Sequence, residues 1–209
     1  MLRILIADDH TVVRKGLKQI LLEEFPTAHI EDVPDAEEMI KKIVSAKWDV
    51  VVSDMSMPGR SGLDALQQIK QIHPELPVLI LSIHPEEHYA LRVLKAGASG
   101  YLSKGSASEE LVKAVQTVLL GKKYISASVA EKLASSFSSD AAKQAHELLS
   151  DREFDVMKLL AAGKSVSEIA DILSLSVTTI STYRARIMTK MNLKTNSDLT
   201  KYAIESKLL

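Results

Sequence analysis

The chain has 209 residues and no cysteine. Disulfides, thiolate metal sites and cysteine nucleophiles are therefore excluded, and the composition suits a reducing compartment. No apolar run nears the roughly 20 residues of a membrane span. The opening segment reaches Asp8 and Asp9 too soon for a signal peptide. These absences predict a cytoplasmic protein that makes no membrane contact.

Aromatic residues are few, at 4%, but 46% of residues are hydrophobic, enough for two cores. The length suggests one large domain or two of roughly 100 to 150 residues each. The formal net charge of -1 hides a gradient. Residues 1–120 carry 17 acidic against 13 basic residues, whereas residues 174–209 carry six basic against two acidic ones. A basic end on an acidic protein fits a solvated helical face or a polyanion such as nucleic acid.

Short apolar runs alternate with helical patterns through the first 120 residues. The runs predict strands at residues 3–7, 29–33, 49–54, 78–82 and 100–103, and helices at 12–22, from 35, 62–72, 85–95 and 106–119. This alternation predicts an α/β fold, a doubly wound parallel sheet with right-handed crossovers. In the strand order 2-1-3-4-5, strands one and three adjoin at the point where such sheets bind ligands.

The third strand runs directly into Asp54, and Pro58-Gly59 then breaks the chain. Its three valines indicate a strand covered on both faces, whose functional residues lie beyond the carboxyl end. Asp54 is therefore either a site residue or only a cap for the turn.

Other polar residues end the neighbouring strands: Asp8-Asp9, Ser82 and Lys104. If the sheet brings these carboxylates within a few ångströms of one another, each pair would repel by about 4 kcal/mol at an effective dielectric of 20. A hard divalent ion such as Mg²⁺, together with Lys104, would compensate this repulsion. Beside such an ion, a carboxylate can attack a phosphoryl group and become an aspartyl phosphate. The Ser82 hydroxyl would then gain a new acceptor.

Asp8-Asp9, Asp54, Ser82 and Lys104, in this order and at these strand ends, resemble the receiver domain of two-component response regulators, a (βα)5 flavodoxin/CheY-like fold. The resemblance implies that Asp54 accepts a phosphoryl group. It also implies a Mg²⁺ site formed by Asp8, Asp9, Asp54 and the backbone carbonyl of Ser56. Mn²⁺ is the alternative ion for this site.

The same resemblance gives roles to three residues around the acceptor. Ser82 and Lys104 contact the phosphoryl group, and Tyr101 matches a switch aromatic that moves inward when the hydroxyl is recruited. Two positions depart from the common pattern: Gly105 stands where many receivers have proline, and Ile83 where many have a small residue.

The pattern changes after residue 121. We predict a receiver domain at residues 1–121, a linker at 122–146 with a short helix at 128–137, and an all-α domain at 147–209. The small, polar span at 138–145 is typical of an interdomain tether.

Four helices are predicted in the last domain. Ser150 with Glu153, and Ser165 with Glu168, each fit a capping box that marks a helix start. Gly163 suits the end of the first helix. The third helix presents short or cationic side chains, which suits a surface lying in a major groove: Thr178, Ser181, Thr182, Ala185 and Arg186. A small helical bundle without nucleic acid is the alternative.

The segments Leu149-Ser150-Asp151-Arg152-Glu153, Glu168-Ile169-Ala170, Thr179-Ile180, Tyr183-Arg184 and Lys190-Met191 resemble the LuxR-type helix-turn-helix. Together the two halves are similar to NarL/FixJ response regulators. The resemblance implies a phosphorylation-controlled transcription regulator, acting as a homodimer on double-stranded DNA. Its partners would be a sensor histidine kinase or phosphotransfer protein. RNA polymerase is a further partner compatible with the resemblance.

Phosphates of DNA would be met by cations of the third helix and the turn after it: Arg184, Arg186, Lys190 and Lys194. Arg184 lies near the apolar stripe, so bracing the helix is its other role. Ser181, where many members place lysine, and Thr182 would read bases through short contacts.

Two other functions fit parts of the pattern. A phosphohydrolase with an Asp nucleophile would usually carry a second Asp two residues later, where this chain has Ser56. A regulator that ignores phosphate is the second alternative, and it predicts that Asp54→Asn leaves DNA binding unchanged.

Overall fold

The computed structural model describes residues 1–126, 129–131, 145–206 and 208–209. The chain divides into two compact units, residues 1–138 and 139–209. Of the short helix predicted at residues 128–137, only 129–131 are described, and they are helical; the rest lies outside the described residues.

The first unit is a parallel sheet of five strands with order β2-β1-β3-β4-β5. The strands are β1 (Arg3–Ala7), β2 (His29–Val33), β3 (Val50–Asp54), β4 (Val78–Ser82) and β5 (Gly100–Ser103). The helices are α1 (Thr11–Glu24), α2 (Ala36–Ser45), α3 (Gly62–Ile72), α4 (Glu86–Lys95) and α5 (Ala107–Leu119). The predicted α/β class and strand order are confirmed.

Burial explains why apolar runs became the central strands. Every residue of β3 and β4 is buried, because helices cover both faces of the sheet. Helix starts follow local chemistry. Asp35 caps α2 by accepting a hydrogen bond from the Glu38 N–H (2.8 Å). Ser61 caps α3 in the same way, because its Oγ accepts from the Asp64 N–H (3.1 Å).

Strand register sets which residues meet at the carboxyl edge of the sheet. Ala7 pairs with Ser53, so the residues that follow, Asp8 and Asp54, lie side by side at this edge. Ser82 pairs with Ser103, so Lys104 emerges next to β4. The topology therefore gathers the predicted site residues at one edge.

The chain beyond α5 returns to the sheet. Tyr124 forms a parallel bridge with Gly100, its N–H donates to the Ser99 carbonyl (2.8 Å), and its side chain joins the core of the first unit. This core thus extends past residue 121, into the stretch predicted as linker. The domain boundaries themselves stay predictions.

The described residues of the second unit form four α-helices after a short 3-10 helix at Ala145–Leu148: α6 (Asp151–Ala161), α7 (Val166–Leu173), α8 (Val177–Met191) and α9 (Asn196–Glu205). Both predicted capping boxes are present. A third, formed by Thr195 and Asp198 at the start of α9, was not predicted. Gly163 ends α6 with a φ of 84°, as its position indicated.

The core of this unit is small and apolar. Phe154, Ile169, Ile180, Ile187 and Leu199 are wholly buried between the helices. Among the described helices of both units, none has the length and hydrophobicity needed to cross a membrane.

Gly62 at the start of α3 offers a test of how closely that helix packs on the site. A Cβ there would lie 1.9 Å from the Asp54 carbonyl oxygen. Because backbone must then move, we expect Gly62→Ala to lower the free energy of unfolding by about 1–3 kcal/mol. Thermal and urea unfolding measure this effect.

The matched control is Gly16→Ala. Gly16 lies within α1, and nothing would stand within 4 Å of its Cβ. Alanine in a helix interior should stabilise by roughly 0.5–1 kcal/mol. Equal stability of Gly62→Ala and wild type would contradict the close approach to Asp54.

Candidate functional site

A single ammonium group joins the ends of strands β1 and β3. Lys104 Nζ lies 2.7 Å from Asp8 Oδ2 and 2.8 Å from Asp54 Oδ2. Asp8 is wholly buried and Asp54 is 3% exposed. The three residues follow or end three different strands, and the sheet brings them together as the sequence predicted.

Burial shifts the titration of this pair. It raises the pKa of Asp54, and the hydrogen bonds from Lys104 and the Ser56 N–H offset only part of that effect. Burial alone would lower the pKa of Lys104, but hydrogen bonds to Asp54 and Asp8 outweigh it and raise that pKa. Asp54 is thus more basic than an exposed aspartate, and Lys104 stays protonated beside it.

The acidic end of the sheet fits a divalent cation. Ligand atoms of Asp8, Asp9, His10 and Asp54 lie within 4.8 Å of one another. Asp8 Oδ2 and Asp9 Oδ1 are buried, and each has one nitrogen 2.7 Å away, in Lys104 and His10 respectively. Carboxylate oxygens are the ligands that Mg²⁺ and Mn²⁺ prefer.

His84, in the β4–α4 loop, connects the other predicted site residues. Its N–H donates to Ser82 Oγ (3.1 Å), and its carbonyl accepts from the Tyr101 hydroxyl (2.7 Å). Its ring Nε2 lies 3.4 Å from Ser56 Oγ. Tyr101 is buried, so its ring already lies inside. The sequence did not single out His84, because its contacts are tertiary.

Two further residues shape the acidic turn and were not predicted. Arg14 donates to the Asp8 carbonyl (2.6 Å) and to Asp32 Oδ2 (3.0 Å), which fixes the end of β1 against β2. His10 lies against both acids. The sequence could have identified His10 as a site neighbour, because it directly follows Asp8-Asp9. Arg14 looks like any basic residue of a helix.

In the second unit, the predicted groove-facing residues share one surface of α8. We define the groove face as the exposed residues Thr178, Ser181, Thr182, Ala185 and Arg186. Val177, at the start of the same helix, is 51% exposed. The structure therefore places these side chains where a partner can reach them.

The four predicted phosphate contacts are in different situations. Lys190 Nζ lies 2.6 Å from Glu153 Oε2, a buried carboxylate at the start of α6. Arg184 Nε donates to Asn196 Oδ1 (3.0 Å), which supports its bracing role. Arg186 and Lys194 are exposed. Contacts of these residues with DNA stay predictions.

Comparisons with known proteins agree with both units. Residues 4–116 match the family model of the response regulator receiver domain, and residues 147–203 match that of bacterial regulatory proteins, luxR family. The chain belongs to the response regulators of this luxR-type class. This confirms the NarL/FixJ-type resemblance on which the sequence prediction depended.

Similar proteins cover the whole chain. Oxygen regulatory protein NreC of Staphylococcus epidermidis is 36% identical over all of this chain and 99% of its own length. Response regulator UvrY of Escherichia coli is 34% identical over all of this chain and 96% of its own length. RcsB from Salmonella enterica serovar Typhimurium was solved bound to promoter rprA with the phosphomimetic BeF3⁻. That structure has a TM-score of 0.63 and 26% identity, and the match covers 97% and 98% of the two chains.

The function follows at the level of the family. This response regulator is a DNA-binding regulator of transcription with a receiver domain and a helix-turn-helix domain.

The ion pair between Lys190 and Glu153 should stabilise the DNA-binding domain. Lys190→Ala leaves a buried carboxylate without its cation, so we expect the free energy of unfolding to fall by on the order of 1–3 kcal/mol. Exposed Arg186→Ala is the matched control, with little change. Chemical denaturation at neutral pH measures both. Equal stability of the two variants would show that the pair is only a surface contact.

The same pair has a pH dependence of known sign. Burial raises the pKa of Glu153, but hydrogen bonds from Lys190 and Ser150 outweigh it, so the pKa in the folded state is lowered. Its contribution is present above the unfolded-state pKa of about 4.3 and is lost as pH falls through the lower folded value. The stability gap between wild type and Glu153→Gln should therefore shrink in acid.

Proposed function

We propose that phosphorylation of Asp54 by a sensor histidine kinase, a phosphotransfer protein or a small phosphodonor controls dimerisation and DNA binding by this protein. The observation that carries the proposal is the arrangement of Lys104 between Asp8 and Asp54. It holds a buried carboxylate in place at the edge of the sheet, with a cation beside it. Such a site suits phosphoryl transfer better than a purely structural turn.

Asp54 supplies the nucleophile. One of its carboxylate oxygens attacks phosphorus, the bond from phosphorus to the donor breaks, and the leaving group keeps the bonding electrons. Lys104 is within 2.8 Å of Asp54 and can shift to an oxygen of the incoming group. The Ser56 N–H, 3.1 Å from Asp54 Oδ1, orients the carboxylate throughout.

Asp8, Asp9, Asp54 and the Ser56 carbonyl would hold a Mg²⁺ or Mn²⁺ ion. When bound, the ion supplies charge neutralisation for the acidic cluster and for the phosphoryl oxygens. The clustering of these carboxylates, with one ammonium between Asp8 and Asp54, supports this assignment.

A phosphoryl group on Asp54 would change hydrogen bonds that meet at His84. Ser82 Oγ accepts from the His84 N–H (3.1 Å), and a turn of this hydroxyl to donate its own proton to the phosphoryl group would displace that bond. Movement of this loop reaches Tyr101 through the His84 carbonyl. Because Tyr101 lies in β5, beside α4, the change can spread to the surface of α4 and α5 as a two-state shift.

The helix-turn-helix would dock α8 in the major groove, with Arg186, Lys190 and Lys194 as phosphate contacts and the groove face toward the bases. The promoter-bound RcsB relative supports this docking. Binding to the chromosome would place the protein in the cytoplasm, where RNA polymerase is a further partner.

The first prediction of this proposal is that Asp54 alone is modified. Acetyl phosphate with Mg²⁺ should add one phosphate per chain by intact mass, and peptide mapping should place it on Asp54. Asp54→Asn should stay unmodified. Full labelling in excess chelator, or phosphate on another residue, would count against the site.

The second prediction concerns assembly. Phosphorylation should favour the dimer because the altered α4–α5 surface is then complementary to a second copy. Sedimentation equilibrium of wild type with BeF3⁻ and of Asp54→Ala measures the shift. Identical mass distributions at every concentration would separate phosphorylation from dimerisation.

The third prediction concerns DNA phosphates. Arg186→Ala should weaken binding to specific and random duplexes alike and flatten the slope of log affinity against log salt by about 0.9. The matched control is Arg184→Ala, since Arg184 is engaged by Asn196 and should leave the slope unchanged. A slope that is equal in wild type and Arg186→Ala would remove Arg186 from the interface.

A further inference from the structure

Three hydroxyl groups of α8 donate their protons to backbone carbonyls of the same helix. Ser181 Oγ donates to the Val177 carbonyl (2.9 Å), and Thr182 Oγ1 donates to the Thr178 carbonyl (3.0 Å). Thr189 Oγ1 donates in the same way to Ala185 (3.0 Å). A hydroxyl has one proton and two lone pairs. With the proton turned back, Ser181 and Thr182 present oxygen lone pairs to whatever meets the groove face.

The acceptor side chains that α8 can offer to bases are hydroxyl groups. Its sequence contains no Asp, Glu, Asn or Gln. The usual bidentate reader of adenine and the usual carboxylate acceptor for cytosine are therefore absent. Its long cations are Arg184, Arg186 and Lys190, and Arg184 and Lys190 are held by Asn196 and Glu153. On the groove face, Ser181 and Thr182 are the hydroxyls whose own protons bond to the helix, so they present lone pairs alone.

In the major groove, a hydrogen-bond acceptor distinguishes bases that donate a hydrogen bond from bases that accept one. Adenine N6 and cytosine N4 are amino donors, whereas guanine O6 and thymine O4 are acceptors. An oxygen lone pair attracts the first pair of bases and repels the second. Since every base pair has one amino and one keto group in this groove, the acceptor decides which strand carries which base.

We propose that Ser181 and Thr182 are specificity-determining residues that read the amino groups of adenine or cytosine in the major groove and disfavour guanine and thymine. This inference rests on the proposed docking of α8 in DNA. Rotating a hydroxyl to donate to a keto oxygen gives up its bond to the helix. The discrimination at one position is accordingly about three- to tenfold, the effect of one ordinary hydrogen bond.

The first experiment selects bound sequences from a duplex library with a randomised core, using the full chain treated with acetyl phosphate. Wild type and Thr182→Ser, which keeps the hydroxyl, should enrich adenine or cytosine at one shared position. Thr182→Val keeps the shape of the side chain but has no acceptor, so guanine and thymine should enter at that position only. Ser181→Ala should act likewise at a neighbouring position.

Thr189→Val is the matched control, because Thr189 makes the same bond to the helix two turns closer to its C-terminal end. It should leave the selected sequence unchanged, since the N-terminal part of a recognition helix contacts the bases. Circular dichroism of each variant checks that α8 remains folded.

The second experiment removes the amino group from the DNA. In the selected duplex, the adenine is replaced by purine, or the cytosine by 2-pyrimidinone. Wild type should lose about three- to tenfold in affinity, whereas Thr182→Val should not distinguish the two duplexes. Such coupling places Thr182 Oγ1 against the amino group.

The outcomes separate this inference from the proposed function. If wild type enriches no sequence, the docking of α8 fails. If a sequence is enriched but Thr182→Val keeps the preference for adenine or cytosine, or the altered position holds guanine or thymine in wild type, the acceptor readout is overturned while DNA binding stands.

Discussion

One ammonium group holds the receiver domain's functional edge together. Lys104 Nζ lies within 2.8 Å of both Asp8 and Asp54, two carboxylates that the strand register forces side by side in a buried place. Unpaired carboxylates in such surroundings are strongly disfavoured. The contact therefore stabilises the two carboxylates. One ammonium does not balance three acidic side chains, and the cluster of Asp8, Asp9 and Asp54 could hold a metal ion as well.

From this contact, structure extends outward through a short set of hydrogen bonds. The loop after β4 has no repeating structure, yet His84 fixes it by its N–H, its carbonyl and its ring. His84 therefore links Ser82 to Tyr101 by direct hydrogen bonds, beside the pairing of β4 with β5. Packed residues of this kind have few alternative arrangements, which favours discrete states over gradual deformation.

The DNA-binding domain divides its cations between folding and recognition. Lys190 of α8 forms an ion pair with Glu153, a member of the capping box of α6. Arg184 of α8 donates a hydrogen bond to Asn196 of α9. Both contacts tie α8 to its neighbouring helices. The groove face itself presents short side chains and the exposed Arg186, which lies one turn before Lys190. Orientation of the helix and chemistry of its exposed surface are thus set by different residues.

By itself, the sequence determined the strand order, the helix starts and the gathering of Asp54, Ser82 and Lys104, because periodicity, caps and strand ends are local signals that topology converts into neighbours. Tertiary structure alone decided what the side chains do there. His84 connects Ser82 to Tyr101, and Arg14 holds the Asp8 carbonyl. In the DNA-binding domain, Lys190 pairs with a carboxylate 37 residues away. No local pattern reports such partners, since they depend on which surfaces meet when the chain packs.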